Sequence, residues 1–434
     1  MAAYIEPRVL KGFRDFLPGM EIARLDLIEK IEFSFRSFGF VPIDTPVLEY
    51  AEILLGKGGG ETEKQIYRFT DNGGRDVALR FDLTVPFARF MAEHRNDLPV
   101  PFKRYHIAKA WRGENTQRGR YREFIQCDFD IVGSESAAAD FEILLTMRNT
   151  LLSLGSGNII IRMNHRGLFN RFLERIESQD KSADVLRIVD KLSKIGWQET
   201  EDQLSDLLGR GKAGQVLEFI KVRESFETTL EAMISAAGAC QEGERLALVR
   251  RFMIEAGISD AFVLDPSVTR GLDYYTGIVF ESFLAELPDI GSICSGGRYD
   301  NLVGLYTKPG SGEGLSGVGA SIGIDRLIAA LEALGKIKHK STYSKAAIAC
   351  IKEEDSGRSH VLAEKLRNAN IPCEVFLDEG KLTKQYMLAE KKGLRWLILP
   401  PEANTGKLTL RNIAKRENMD MSVEELIAFL RDMP

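Results

Sequence analysis

From Phe124 to Ile131 the chain alternates strictly between two kinds of side chain, the pattern of a half-buried strand. Ile125, Cys127, Phe129 and Ile131 take the face that can enter a core, and Phe124, Gln126, Asp128 and Asp130 take the other. A ring, an amide and two carboxylates sharing one side predict the floor of a pocket for a small polar ligand. Residues 105–114 have the composition of a partner strand, with Arg112 and Glu114 on one face, and the polar run 115–119 between them suits a short hairpin loop. Arg112, Arg118, Arg120 and Arg122 crowd around that hairpin, a density suited to multivalent phosphate. The plainer alternative is a solvated basic ribbon. The register of acids and ring with the arginines favours the pocket.

Elsewhere the pattern predicts a docked arm at KGFRDFLPG and a helix over 20–38 carrying Ala23, Leu27, Ile28, Ile31 and Phe35 at helical spacing. GFVPIDTPVLEY follows as a strand that Pro42 and Pro46 confine to a sheet edge, fit either for self-association or for plain capping. GKGGGET (56–62) is expected to be a mobile flap. It lacks the spacing of a phosphate-binding P-loop. A hairpin over 66–84 leaves Arg80, Asp82 and Thr84 opposite Leu79, Phe81 and Leu83. Asp82 and Thr84 could hold an ammonium group or form a solvent-facing salt bridge. A short helix follows Thr84, and a long one spans 137–154. Residues 166–260 are mostly helical and charged, without a catalytic constellation.

Chemistry resumes at TRGLDYYTGIVFESF, where Arg270, Tyr274 and Tyr275 precede a strand, the tyrosines suiting either packing or function. In ICSGGRY (293–299) two glycines let backbone approach a ligand closely. GSGEGLSG (310–317) is expected to be a second mobile loop. GVGASIGIDRLIAALEALG then runs from strand directly into helix, and its apolar stripe leaves Arg326 off the core near the helix N-terminus, where phosphate is favoured. The polar run 335–344 reads as a linker. Beyond it, strands at 346–351, 373–377, 396–399 and 407–413 alternate with helices at 359–369 and 384–392. A last helix opens on a Ser422–Glu425 capping box. This predicts a small α/β domain with a mostly parallel sheet.

A chain of 434 residues holds two or three domains, and its 44% hydrophobic and 28% charged residues are those of an ordinary soluble protein. No apolar run reaches the length of a membrane span, and the first residues lack the apolar core of a signal peptide. The 5 cysteines are scattered and never in a CxxC pair, and the 5 histidines lack metal spacing. Reduced thiols in a cytoplasmic setting are therefore expected, without zinc or disulfides. A net charge of −5 does not advertise a nucleic-acid binder, but a local patch such as 103–122 could do that work.

RGLDYYTG from Arg270 and GGRYD from Gly296 resemble the two histidine motifs of the histidyl-tRNA synthetases. GFVPIDTPVLEY, the 105–130 hairpin and GVGASIGIDRL resemble class II motifs 1, 2 and 3, in order and over essentially the whole chain. The resemblance implies an α+β fold: a class II antiparallel sheet flanked by helices, with a helical insertion and a C-terminal α/β anticodon-binding domain. The core would comprise 1–165 and 261–335, the insertion 166–260 and the last domain 345–434. The implied α-amino contacts are Asp82, Thr84 and Gln126, and the implied imidazole readers Asp130 and Tyr275, with Tyr274 and Tyr299 beside the histidine. Arg112 and Arg270 would be catalytic, at the α-phosphate and the reacting carboxylate. Glu114 and Phe124 would meet adenine, and Arg120 and Arg326 the adenine and the β- and γ-phosphates. Gln117 would touch the acceptor end of the tRNA, although Asn-Thr-Gln replaces the usual Arg-Pro-Gln. Implied partners are L-histidine, ATP with Mg²⁺, tRNA(His) and a second copy of the chain. The rival reading is the catalytically silent, synthetase-like regulatory subunit of ATP phosphoribosyltransferase, a binding module rather than an enzyme.

Overall fold

The structure, a computed structural model, describes residues 4–56, 61–269, 274–308, 314–399 and 407–433. Its elements begin with α1 (Pro18–Ser37), β1 (Val41–Pro42), β2 (Leu48–Tyr50), α2 (Ala51–Leu55), α3 (Glu61–Gln65), β3 (Arg68–Thr70), β4 (Asp76–Leu79) and α4 (Thr84–Glu93). The long hairpin β5 (Phe102–Trp111) and β6 (Glu123–Val132) follows, then α5 (Ala137–Ser153) and β7 (Ile159–His165). Six helices come next: α6 (Arg166–Arg175), α7 (Ser182–Asp190), α8 (Leu192–Leu208), α9 (Arg210–Phe219), α10 (Phe226–Ala237) and α11 (Gln241–Glu255). The chain then returns through β8 (Phe262–Leu264), β9 (Ile278–Leu284), β10 (Cys294–Tyr299), β11 (Gly317–Gly323) and α12 (Ile324–Ala333).

Contacts divide the chain into two compact units, Met1–Arg14 with Leu27–Ile337, and Asp15–Asp26 with Lys338–Pro434. In the first, eight strands form one sheet in the order β1-β5-β6-β11-β10-β9-β7-β8. Its interior pairs are antiparallel, and the parallel pairs β1·β5 and β7·β8 close its two edges. The alternation along β6 is what sets the layers. Cys127, Phe129 and Ile131 are buried beneath α1, where Phe35 lies 4.7 Å from Phe129 and 5.7 Å from Tyr105, ring centre to ring centre. The polar residues of β6 are left for the opposite face. A small sheet, β2-β4-β3, forms separately.

Several sequence expectations shift here. The edge segment is two strands, since the prolines break it, and β1 and β2 join different sheets. Residues 57–60, in the expected flap, lie outside the described residues, and its end belongs to the short helix α3. The strand expected to reach Thr84 stops at Leu79. Arg80 leaves the ladder because its guanidinium reaches inward to the carbonyls of Thr45 and Lys109, at 2.6 and 2.9 Å, so the segment turns and α4 opens at Thr84. The β5–β6 loop is also longer than 115–119, spanning 112–122, because Gly113 N–H leaves the strand to donate to Gln65 O at 2.6 Å. Of the second expected mobile loop, residues 310–313 lie outside the described residues, and its last residue, Gly317, opens β11.

In the second unit, β12 (Ala346–Ile348), α13 (Ser356–Asn368), β13 (Cys373–Val375), α14 (Leu382–Lys391), β14 (Trp396–Leu399), β15 (Leu408–Asn412), β16 (Asn418–Met421) and α15 (Val423–Arg431) follow in order. The sheet order is β13-β12-β14-β15-β16, with two parallel and two antiparallel pairs, so it is evenly mixed rather than mostly parallel. The strand missed in sequence is β16, whose Asn-Met-Asp-Met offers no β-branched or aromatic residue. The capping box at α15 forms, Ser422 accepting from Glu425 N–H at 3.2 Å.

Candidate functional site

On the polar face of β6 lies a cavity of about 350 Å³. It is lined by Asp82, Thr84, Arg112, Glu114, Arg120, Phe124, Gln126, Asp130, Tyr274, Tyr275, Tyr299 and Arg326, which the sequence scatters over some 240 positions from Asp82 to Arg326. One expected residue, Arg270, lies outside the described residues.

The cavity has two ends of opposite chemistry. At the acid end, Asp82 sits in the turn before α4 and accepts from Val85 N–H at 3.1 Å and Tyr274 Oη at 3.4 Å. Burial pushes its carboxyl up to about 6, against the opposing pull of Val85 N–H and Arg112. Asp130 projects from β6, accepting from Tyr299 Oη at 2.6 Å on Oδ1 and facing Arg104 Nη2 at 2.7 Å on Oδ2. Beneath it the backbone is bare. Gly319 pairs with Asp130 on one side and with Gly297 on the other. A Cβ at Gly319 would overlap the Asp130 carboxylate, and one at Gly297 would lie 2.8 Å from the ring of Tyr275. Gln126 Nε2 donates to Ser321 Oγ at 2.9 Å, leaving Oε1 without a hydrogen bond among the described residues. Behind this wall Asp128 is buried, with Thr84 Oγ1 at 3.4 Å, and burial pushes it up to about 7.

The basic end is built by the 112–122 loop and the start of α12. Arg112 donates from Nε to Phe81 O at 2.9 Å, and its guanidinium carbon is 5.2 Å from the centre of the Phe124 ring. Arg120 Nη1 is 3.5 Å from Glu114 Oε2, and Arg326 donates to Ser292 O. Asp325 accepts Ile125 N–H at 2.9 Å and pairs with Arg14, whose guanidinium lies 3.6 Å over Tyr121, so the N-terminal arm is docked at its residue 14. Of the four crowded arginines, two line this cavity. Arg122 packs against Gly12 instead, its backbone N–H donating to Gly12 O at 2.9 Å. Arg118 and Gln117 line a second, adjoining cavity of about 1110 Å³ with Arg162, Lys194 and Asp265. Arg120, Glu281, Ser292 and Arg326 line both.

Arg104, Asp325 and Glu281 belong to the site or its support and were missed in the sequence. For Arg104 a signal existed: it and His106 fall on one face of β5, in register with Asp130 and Asp128. Among the described residues no three His, Cys, Asp or Glu side chains gather to hold a metal ion.

An acid end can hold a cationic amine or a ring N–H, and a basic end a polyphosphate. A cavity with both can bring an amino acid and a nucleotide together. A family model described as histidyl-tRNA synthetase matches residues 12–327, and one described as anticodon binding domain matches 345–433. The chain is 53% identical to the histidine–tRNA ligase of Treponema denticola, over 91% of this chain and 89% of that one. It is 48% identical to that of Treponema pallidum, over 97% of each. The crystal structure of histidyl-tRNA synthetase from Nostoc sp. PCC 7120 superposes with a TM-score of 0.87 at 29% identity, covering 99% of both chains.

Proposed function

The chain belongs to the histidyl-tRNA synthetase family, and on that premise we propose that it is a histidine–tRNA ligase: it activates L-histidine with ATP and passes it to the 3′ end of tRNA(His). The observation that carries this reading is the two-ended cavity, acidic at Asp82 and Asp130, basic at Arg112, Arg120 and Arg326.

In the first step a carboxylate oxygen of histidine attacks the α-phosphorus of ATP, forming the mixed anhydride and expelling pyrophosphate. The carboxylate is already a nucleophile, so no general base is needed. The barrier lies in bringing two anions into line, and positioning with charge neutralisation lowers it. Arg112 and Arg270 take the α-phosphate and the reacting carboxylate, Glu114 and Phe124 the adenine, and Arg120 and Arg326 the outer phosphates. Magnesium enters as part of the nucleotide substrate. Asp82, Thr84 and Gln126 hold the α-ammonium, while Asp130 and Tyr275 read the imidazole, with Tyr274 and Tyr299 packed beside it. A site that hydrogen-bonds its substrate this way can reject an apolar ring by about 10⁴–10⁵-fold without editing. The second cavity, with Gln117, is the place for the acceptor end of the tRNA.

Histidine-dependent exchange of pyrophosphate into ATP, without tRNA, tests the first step. Exchange with histidine alone among the amino acids is expected, and activity only with another amino acid would overturn the substrate. No exchange with any would favour the regulatory-subunit reading, against which stand the basic end of the cavity and the match of 345–433 to an anticodon-binding domain. Charging of tRNA(His) tests the second step.

We further place the protein in the cytoplasm: no helix among the described residues is long and apolar enough to cross a membrane, and all five cysteines are free thiols. A homodimer is supported by Phe33 on α1 and by Val41, Val47, Leu48 and Tyr50 along the edge segment, all exposed. Sedimentation as a monomer alone at micromolar concentration would remove it.

A further inference from the structure

The acid end carries three buried carboxylates, Asp82, Asp128 and Asp130, and beside them one guanidinium with no exposure to solvent, Arg104. Arg104 stands opposite Asp130 in the β5–β6 register. Its Nη2 is 2.7 Å from Asp130 Oδ2, and its Cζ lies 4.0 Å over the ring of Phe87. None of the three guanidinium nitrogens, and not Asp130 Oδ2 either, makes a hydrogen bond among the described residues, so the 2.7 Å contact between them is an ion pair. Such a cation is costly to bury and is retained only with compensation. Here the compensation is a carboxylate and an aromatic face.

The groups facing Asp130 come from several elements. Arg104 approaches from β5, and Tyr299 from β10 donates to Oδ1 at 2.6 Å. Asp128 lies two residues away on the same strand, Asp82 comes from the turn before α4, and Tyr274 and Tyr275 precede β9. His106, next along the inward face of β5, is kept neutral, its imidazole pushed down to about 4 by burial first and then by Arg104 and Arg80. Burial raises Asp130 itself, and Arg104 and then Tyr299 oppose it. The phenols are held protonated by burial, so among these groups Arg104 alone brings positive charge.

We propose that Arg104 is a positioning residue for amino-acid selection: it holds Asp130 ionised and aimed, so that the pocket accepts an N–H of the imidazole at that oxygen. The inference rests on reading Asp130 as an imidazole contact. Without the guanidinium, Asp130 would hold a proton more readily, and its neutral form donates where the substrate ring also donates. A merely structural Arg104 would tie β5 to β6 and leave this protonation balance alone.

Pyrophosphate exchange by the full chain and by Arg104→Met, Arg104→Lys and Asp130→Asn separates the cases, with KM for histidine and for ATP measured from about pH 6 to about pH 9. Loss of a charge-assisted contact predicts a KM for histidine raised on the order of 10–100-fold in Arg104→Met, with KM for ATP little changed. The ratio of variant to wild-type KM for histidine is largest at the acid end and falls as the pH rises, because burial already holds Asp130 above the ordinary carboxyl range and base favours its ionised form. Arg104→Lys, which keeps the charge, recovers most of the affinity and flattens that dependence. If Asp130→Asn raises KM for histidine while Arg104→Met leaves it unchanged, or raises it by the same factor at every pH, Arg104 is structural and the inference fails. If Asp130→Asn itself leaves KM for histidine unchanged, the reading of Asp130 fails first. Thermal melts of each variant identify any that does not fold, and Arg104→Lys then carries the comparison through its pH dependence, which must depart from the wild type less than that of Asp130→Asn.

Discussion

Tyr275 and Asp128 serve one pocket by different physics. Tyr275 is half-buried beside Asp130, and loss of solvent around its hydroxyl keeps the phenol protonated, so it can donate or accept but carries no charge. Removing its hydroxyl costs a hydrogen bond to a polar substrate while the ring still fills the space. Tyr275→Phe is therefore expected to raise KM for histidine about tenfold or more and to leave KM for ATP nearly alone. Equal losses for both substrates in the exchange assay would refute the role. Asp128 lines no part of the cavity, yet burial lifts its carboxyl from 3.8 to about 7. Between those values the folded state keeps a proton that the unfolded state has released. The stability this proton contributes is complete below the unfolded value and lost as the pH rises through about 7. Relative to Asp128→Asn, the wild type should therefore lose up to about 1.4 kcal/mol per pH unit within that window. Urea melts of both proteins at about pH 5 and about pH 8 check the sign, and a difference that stays level or grows with pH would contradict it.

The elements are joined by a few buried charges, and Asp140 is the clearest case. It lies on α5 without exposure, taking Arg298 of β10 at 2.8 Å from Nε and 2.7 Å from Nη2, and Arg245 of α11 at 2.6 Å. One carboxylate thus fastens the central sheet, the helix packed on it and the helical stretch between β7 and β8. Asp140→Ala leaves the nearly unexposed Arg298 without that partner, and a loss of about 3–5 kcal/mol in urea unfolding is expected. A loss below about 1 kcal/mol would mean that Arg298 is satisfied by Ser134 O and Ser316 instead. The sequence made much of this level legible. Period-two alternation found β6 and its two faces, and helical spacing found α1, because both patterns record which side is buried. What stayed illegible depends on partners distant in the chain. The turn at Arg80 is set by the carbonyls of Thr45 and Lys109, and the length of the 112–122 loop by Gln65. Arg104 showed its face but not its occupant, since a lone arginine in a strand is ordinarily solvated. The polar β16 is held by its ladder to β15 rather than by its own composition.

At the scale of the whole molecule, a net charge of −5 sits oddly with a nucleic-acid substrate. Affinity for a phosphate backbone must then come from local charge, and the adjoining cavity supplies it with Arg118, Arg120, Arg162, Lys194 and Arg326. These side chains differ in how free they are to act on tRNA. Arg162 is already paired with Asp265 at 2.7 Å, and Arg120 and Arg326 also line the cavity proposed for ATP. Lys194, like Arg118, is exposed and lines only the second cavity; it stands on α8, away from the 112–122 loop that builds the basic end of the first cavity, so its charge can report on tRNA binding without touching the ATP site. Neutralising one phosphate contact reduces the slope of log affinity against log salt by about 1. Lys194→Ala is accordingly expected to weaken tRNA(His) binding, with that reduced slope, while histidine-dependent pyrophosphate exchange continues at the wild-type rate. Were exchange to fall in step with tRNA binding, the two cavities would form one site for activation, and the division of labour between them would be wrong. An unchanged slope with intact exchange would instead move the acceptor end away from α8.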